Sequence, residues 1–152
     1  MLKTGDRAPA FALSDQNGTL VQSTELAGTP YVIYFYPKDS TPGCTKQAQA
    51  YSENLEKFQE AGYRVFGVSK DSVASHKKFE EKYGLTITLL SDPERQAIEA
   101  FDVWQEKKNY GKVSMGVVRT SYVVDASGTI VVANPNTKAA TDCEKVMEQL
   151  GL

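Results

Sequence analysis

At 152 residues, 41% hydrophobic and 24% charged, the chain has the length and composition of one globular domain, not of a disordered or fibrous protein. A net charge of −2, from 17 basic and 19 acidic residues, provides no electrostatic footprint for nucleic acid or an anionic membrane as partner. Two cysteines without CxxC spacing and a single histidine argue against a disulfide scaffold and a histidine-rich metal site.

The opening MLKTGDRAPAF has no apolar leader core, and no apolar run approaches the roughly 18 residues of a membrane span. The expectation is a soluble cytoplasmic protein. In chain order, SDQNGTL (14–20) is a turn between extended segments. YVIYFYP (31–37) is apolar almost throughout, as a strand buried on both faces should be; Tyr31, Tyr34, Phe35 and Tyr36 are therefore expected to fill the sheet core. CTKQAQAYSENLEKFQEAG follows, with Ala48, Tyr51, Leu55 and Phe58 on one helical face and Gly62 as its stop. YRVFGVS (63–69) is a second buried strand, which makes a right-handed parallel strand–helix–strand unit. SVASHKKFEEKYG reads as another helix, with His76 exposed on a charged face. DPERQAIEAF reads as a third, with Pro93 early in it. Glu106, Lys107 and Lys108 read as solvated loop. TSYVVD and TIVVAN form an antiparallel hairpin across DASGTI. A last helix from about Thr141 to Leu150 opens on TDCE, a Thr-x-x-Glu capping box. This order predicts an α/β fold with a central mixed sheet flanked by helices, close to a thioredoxin-like arrangement.

Cys44 stands directly after Thr41-Pro42-Gly43, at the start of a predicted helix. An ordinary thiol is only a few per cent ionised at neutral pH, whereas first-turn N–H groups, the helix dipole and an adjacent cation favour the thiolate. Gly43 removes a side chain that could crowd the sulfur, and Pro42 fixes the backbone. A dipole worth roughly 0.3–1 kcal/mol is too small to ionise a thiol alone, so a cation and donated hydrogen bonds are required. The Thr41 hydroxyl is the obvious local donor. Spacing leaves the cation open among Lys38, Lys46 and distant Arg119.

The run Pro37-Lys-Asp-Ser-Thr41-Pro42-Gly43-Cys44-Thr45 resembles the P-x-x-x-T-x-x-C active-site loop of peroxiredoxins, and TPGCT is similar to their peroxiredoxin Q, or bacterioferritin comigratory protein, branch. GDRAPAFALSDQNG, LLSDP, VWQEKKNYGK and GVVRTSYVVDASG extend the likeness in order along essentially the whole chain. The resemblance implies a single thioredoxin-like peroxiredoxin domain over 1–152 with an N-terminal β extension. It also implies a thiol peroxidase that reduces hydrogen peroxide and organic hydroperoxides without metal, haem, flavin or other cofactor. Cys44 would then be the nucleophile that becomes sulfenic acid. Thr41 would hydrogen-bond the thiolate and the peroxide, Pro37 and Pro42 would shape the pocket, Arg119 would activate the sulfur and Gln47 would hold Arg119. Thioredoxin or a similar thiol would be the reductant and a monomer, or else a dimer, the assembly.

Many relatives place a resolving cysteine five positions after the nucleophile, where this chain has Gln49. Resolution is left to Cys143, a second chain or an external thiol. Cys143, Val146, Met147 and Leu150 form a helical stripe, so Cys143 serves equally well as a core residue or as a resolving thiol. The competing functional class is a non-enzymatic thioredoxin-like redox sensor or chaperone module.

Overall fold

The computed structural model describes residues 1–152, apart from the side chain of Asn109. Strand β3 (Tyr31–Phe35) is buried at every position, and its side chains alternate between two core layers. Tyr31, Ile33 and Phe35 face one layer, with Phe66, Phe101 and Tyr122. Val32, Tyr34 and the following Tyr36 face the other, with Tyr51, Phe58, Val146 and both cysteines. The tyrosines of this run fill the core, as expected.

β4 (Arg64–Ser69) pairs parallel to β3, and β5 (Thr88–Ser91) parallel to β4. β8 (Thr120–Val124) lies antiparallel to β3 and carries β9 (Ile130–Asn134) beyond it, joined through the Ser127-Gly128 turn. The N-terminal extension, β1 (Ala12–Asp15) and β2 (Leu20–Gln22), completes a seven-stranded mixed sheet of order β2-β1-β5-β4-β3-β8-β9. Gly67, on β4 beside Tyr34, is glycine for want of space: a Cβ there would lie 2.8 Å from the Tyr34 phenol oxygen.

The helix expected after Cys44 forms in two pieces, α1 (Pro42–Glu53) and α2 (Leu55–Glu60). Asn54 separates them with φ −104° and ψ 4°, and its amide donates to the Ala50 carbonyl. α3 (Val73–Tyr83) follows β4 and ends on left-handed Gly84. The third helix starts later than its sequence suggests: α4 spans only Gln96–Ala100. Pro93 belongs to the preceding turn, because the Asp92 carboxylate accepts from the Gln96 and Ile98 amides and Arg95 takes φ +59°. α5 (Asp142–Leu150) packs on the α1 side of the sheet, so both cysteines share one core layer. Its capping box does not form, since Thr141 sits at ψ −3° and its hydroxyl makes no cap bond.

Glu106, Lys107 and Lys108 do not lie in a loop. They belong to β6 (Trp104–Asn109), which pairs with β7 (Lys112–Val117) in a separate two-stranded ribbon. No helix among the described residues is long and apolar enough to cross a membrane.

Candidate active site

Cys44 is the third residue of α1, and its side chain is 2% exposed. Thr41 precedes the helix in extended conformation and Pro42 opens it. Pro42 has no N–H to lose, while the Gly43 and Cys44 amides are first-turn donors beyond the reach of any helical carbonyl. The Cys44 thiol therefore sits among dipoles aimed at a negative charge.

The sheet supplies the cation. Antiparallel pairing sets Phe35, at the end of β3, opposite Thr120, at the start of β8. The loop leaving β3 and the residue entering β8 therefore meet at one sheet edge. Arg119 Nη2 donates to Cys44 Sγ at 3.4 Å, across 75 positions of sequence. Arg119 Nη1 donates to Gln47 Oε1 at 2.6 Å, and the Arg119 carbonyl accepts from the Thr137 amide. Of the three cations left open by spacing, the structure places Arg119 on the sulfur. Gln47 is fully buried one turn after Cys44 and is no solvated helix residue.

The remaining expected residues fall less uniformly. The Thr41 hydroxyl donates to the Lys38 carbonyl at 2.9 Å rather than to Cys44. Its proton is thereby engaged, and its lone pairs are left to accept from a ligand. Pro37 lines a cavity of about 730 Å³ with Lys107, Val118, Arg119 and Thr137. A Cβ on Gly43 would meet Ala139 Cβ at 3.5 Å and Arg119 Nη2 at 3.6 Å; these are ordinary contacts, and they fall on the guanidinium rather than the sulfur.

Cys143 is 3% exposed in the first turn of α5, with Asn54 Nδ2 and Met147 Sδ each 4.0 Å from its sulfur. Burial first, and the neighbouring Asp142 carboxylate second, push its thiol up to about 12. Raised in the folded state, this group contributes stability below the ordinary thiol range and loses it as pH climbs towards about 12. In the native protein Cys143 should therefore be alkylated more slowly than an ordinary thiol from neutral pH to about pH 10. Mass-mapped iodoacetamide labelling measures this, and labelling at a free-thiol rate near neutrality would contradict it.

Two features escaped the sequence reading. His76 is fully buried, not exposed: Nδ1 lies 2.7 Å from Asp39 Oδ2, and Nε2 lies 2.9 Å from the Leu90 carbonyl. A carbonyl only accepts, so Nε2 carries a proton. Asp39 also accepts from the Tyr36 and Ser75 hydroxyls, and its amide donates to Asp71. His76, Asp39 and Asp71 bring their donor atoms within 4.8 Å of one another, but these bonds occupy them in pinning the 37–41 loop to β4 and α3. The only sequence hint was the Asp inside the cysteine loop. Lys107 is the second feature. It is half-buried over the cavity, where burial first and Arg119 second lower its ammonium, while Cys44 opposes the shift. Its stem passes Gly116, where a Cβ would lie 3.0 Å from Lys107 Cδ.

Known proteins resemble this chain in sequence and in fold. Residues 4–133 match the AhpC/TSA family. The chain is 45% identical over 129 residues to Peroxiredoxin Bcp of Escherichia coli K12, covering 85% of this chain and 83% of that one. A Xanthomonas campestris bacterioferritin comigratory protein, described for its alkyl peroxide reduction activity, superposes with a TM-score of 0.88 at 39% identity, over 93% of this chain and 90% of its own. A variant of Xylella fastidiosa PrxQ superposes with a TM-score of 0.93 at 31% identity, over 99% of this chain and 96% of its own. The thioredoxin-like fold, the cysteine at the head of α1 and these likenesses agree: the chain belongs to the AhpC/TSA family, among the peroxiredoxins of the Bcp and peroxiredoxin Q kind.

Proposed function

We propose that the protein is a thiol-dependent peroxidase for hydrogen peroxide and organic hydroperoxides, with Cys44 as nucleophile. The observation that carries this reading is the Arg119 guanidinium 3.4 Å from Cys44 Sγ. A guanidinium stays charged and offers several fixed donors, so it stabilises the thiolate and then the charge that develops on peroxide. The thiolate attacks one peroxide oxygen, the O–O bond breaks, and the electron pair leaves with the other oxygen. Cys44 becomes sulfenic acid, and the departing alkoxide or hydroxide takes a proton to become alcohol or water. Thr41, whose hydroxyl donates to the Lys38 carbonyl, accepts the hydrogen bond of the incoming O–H through its free lone pair. Pro37 and Lys107 line the cavity on the outer side of Arg119, where the positive charge of Lys107 adds to that of the guanidinium. A non-enzymatic module would not need the Cys44–Arg119–Gln47 chain.

Resolution by an external thiol, thioredoxin or a similar reductant, fits better than resolution by Cys143. One thiol displaces water from the sulfenic acid to form a mixed disulfide, and a second thiol releases Cys44. Either route requires the first turn of α1 to open. The Cys143 route also requires unwinding the start of α5, where the Asp142 carboxyl accepts four hydrogen bonds, each worth about 1.5–3 kcal/mol to a charged group. This cycle belongs in the reducing cytoplasm, and a monomer satisfies it.

Stopped-flow oxidation by hydrogen peroxide tests the reading. Cys44 should oxidise orders of magnitude faster than a free thiol, and Cys143→Ser should keep turnover with an external dithiol. Oxidation at the free-thiol rate would remove the enzyme, and loss of turnover in Cys143→Ser would restore the internal disulfide.

A further inference from the structure

We propose that Asp142 is a positioning residue for the peroxide reaction: it fixes the orientation of the Gln47 amide and thereby holds Arg119 on Cys44. This rests on the peroxidase reading and extends it to a residue that touches neither sulfur nor substrate. Asp142 opens α5, yet its side chain is fully buried. Oδ2 accepts from Gln47 Nε2 at 2.9 Å and from the Tyr51 hydroxyl at 2.7 Å. Oδ1 accepts from Ser121 Oγ at 2.7 Å and Thr137 Oγ1 at 2.9 Å. The four donors come from α1, β8 and the loop before α5, so the carboxyl ties three parts of the fold together.

The chemistry of the amide turns this anchor into a device. Gln47 has a carbonyl at one end and an NH₂ at the other. One end meets Arg119, which only donates; the other meets a carboxyl that accepts. Flipping the amide would set donor against donor and acceptor against acceptor, and buried mismatches of that kind are costly. Without an acceptor at 142 only the Arg119 end of that preference remains, the amide NH₂ is left buried and unpaired, and the Gln47 carbonyl is no longer held in register against Arg119 Nη1 at 2.6 Å. The guanidinium could then rotate off the sulfur, and displacement by about 1 Å is enough to slow a reaction on the order of a hundredfold. Tyr51 is suited to its part, since burial first and Asp142 second raise its phenol well above the ordinary range and keep its proton available to donate.

The test is the rate of Cys44 oxidation by hydrogen peroxide, with circular dichroism to confirm folding. Asp142→Ala should slow oxidation about 10- to 100-fold, and in an Arg119→Ala background the same change should have no further effect, because Asp142 acts through the arginine. A second pair of variants holds if Asp142→Ala does not fold. Gln47→Glu sets a carboxyl against Asp142, so the two must share a proton, and the oxidation rate should fall about tenfold as pH rises and that proton leaves. Adding Asp142→Asn restores a donor opposite the new carboxyl and should recover the rate and remove the pH dependence. The proposal is overturned if folded Asp142→Ala oxidises at the wild-type rate, or if the exchanged pair is no faster than Gln47→Glu alone at any pH. Slow oxidation of the unmodified protein would instead overturn the peroxidase reading itself.

Discussion

Cys44→Ser is expected to abolish peroxide turnover while leaving the fold in place. The two side chains differ little in size, and the site at the head of α1 is closed, with Cys44 packed in the layer that holds Ala48 and Tyr51. Serine would bury a hydroxyl where a thiol had been, but Arg119 Nη2 already points at that position. The structural cost is thus bounded by that of an imperfectly paired polar group, roughly 1–3 kcal/mol. The chemical cost has no such bound. A serine hydroxyl has no base beside it here: among the described residues the one side-chain hydrogen bond to this position comes from Arg119, a cation that only donates. Such a setting stabilises an anion already formed but cannot remove a proton held as tightly as an alcohol's. Cys143 offers no substitute, because burial and Asp142 hold its thiol protonated up to about 12. Peroxide consumption with excess external dithiol should therefore fall to the background of the dithiol alone, with an unchanged circular dichroism spectrum. Turnover that survives in Cys44→Ser would place the chemistry elsewhere in the chain.

Much of this was legible in the sequence, where short-range patterns decide structure. The apolar run of β3, the turn glycines and the Thr-Pro-Gly-Cys junction each act within a few residues, and the fold honours them. What resisted reading was set by partners far away in the chain. Local spacing could not rank Lys38, Lys46 and Arg119, and only the family resemblance pointed to Arg119, because it is the pairing of β3 with β8 that carries Arg119 across 75 positions to Cys44. His76 sits in a run of charged residues and is nonetheless buried, because Asp39 and the Leu90 carbonyl satisfy both ring nitrogens. The QEKKN segment lacks apolar alternation, and its strand is held by β7 alone, outside the main sheet. Asp142 was legible only as a charge beside Cys143, since nothing local marks a helix-opening aspartate as turned inward. The Thr141 cap failed for the same reason: tertiary bonds to Asp142 set the geometry of that first turn.

Arg119→Ala should slow Cys44 oxidation about 100- to 1,000-fold, corresponding to roughly 2.7–4 kcal/mol of transition-state stabilisation. Two losses combine in this estimate. The thiolate loses its one side-chain hydrogen bond among the described residues, at 3.4 Å, and the peroxide oxygen that gains charge loses a fixed cation. Lys107 offsets part of the field, but as a flexible point charge it cannot replace a guanidinium held in register by Gln47. The fold should tolerate the change, because what β8 needs from residue 119 is its backbone carbonyl, which accepts from Thr137 and survives in alanine. Arg119→Lys separates charge from geometry: it keeps the cation but forfeits the simultaneous bonds to sulfur and to Gln47, so its rate should lie between the two. Stopped-flow oxidation of the three proteins, with thiolate absorbance at neutral pH recorded for each, measures both losses. A rate within threefold of the wild type in Arg119→Ala would mean that the first turn of α1 activates the sulfur unaided, against the roughly 0.3–1 kcal/mol a helix terminus supplies.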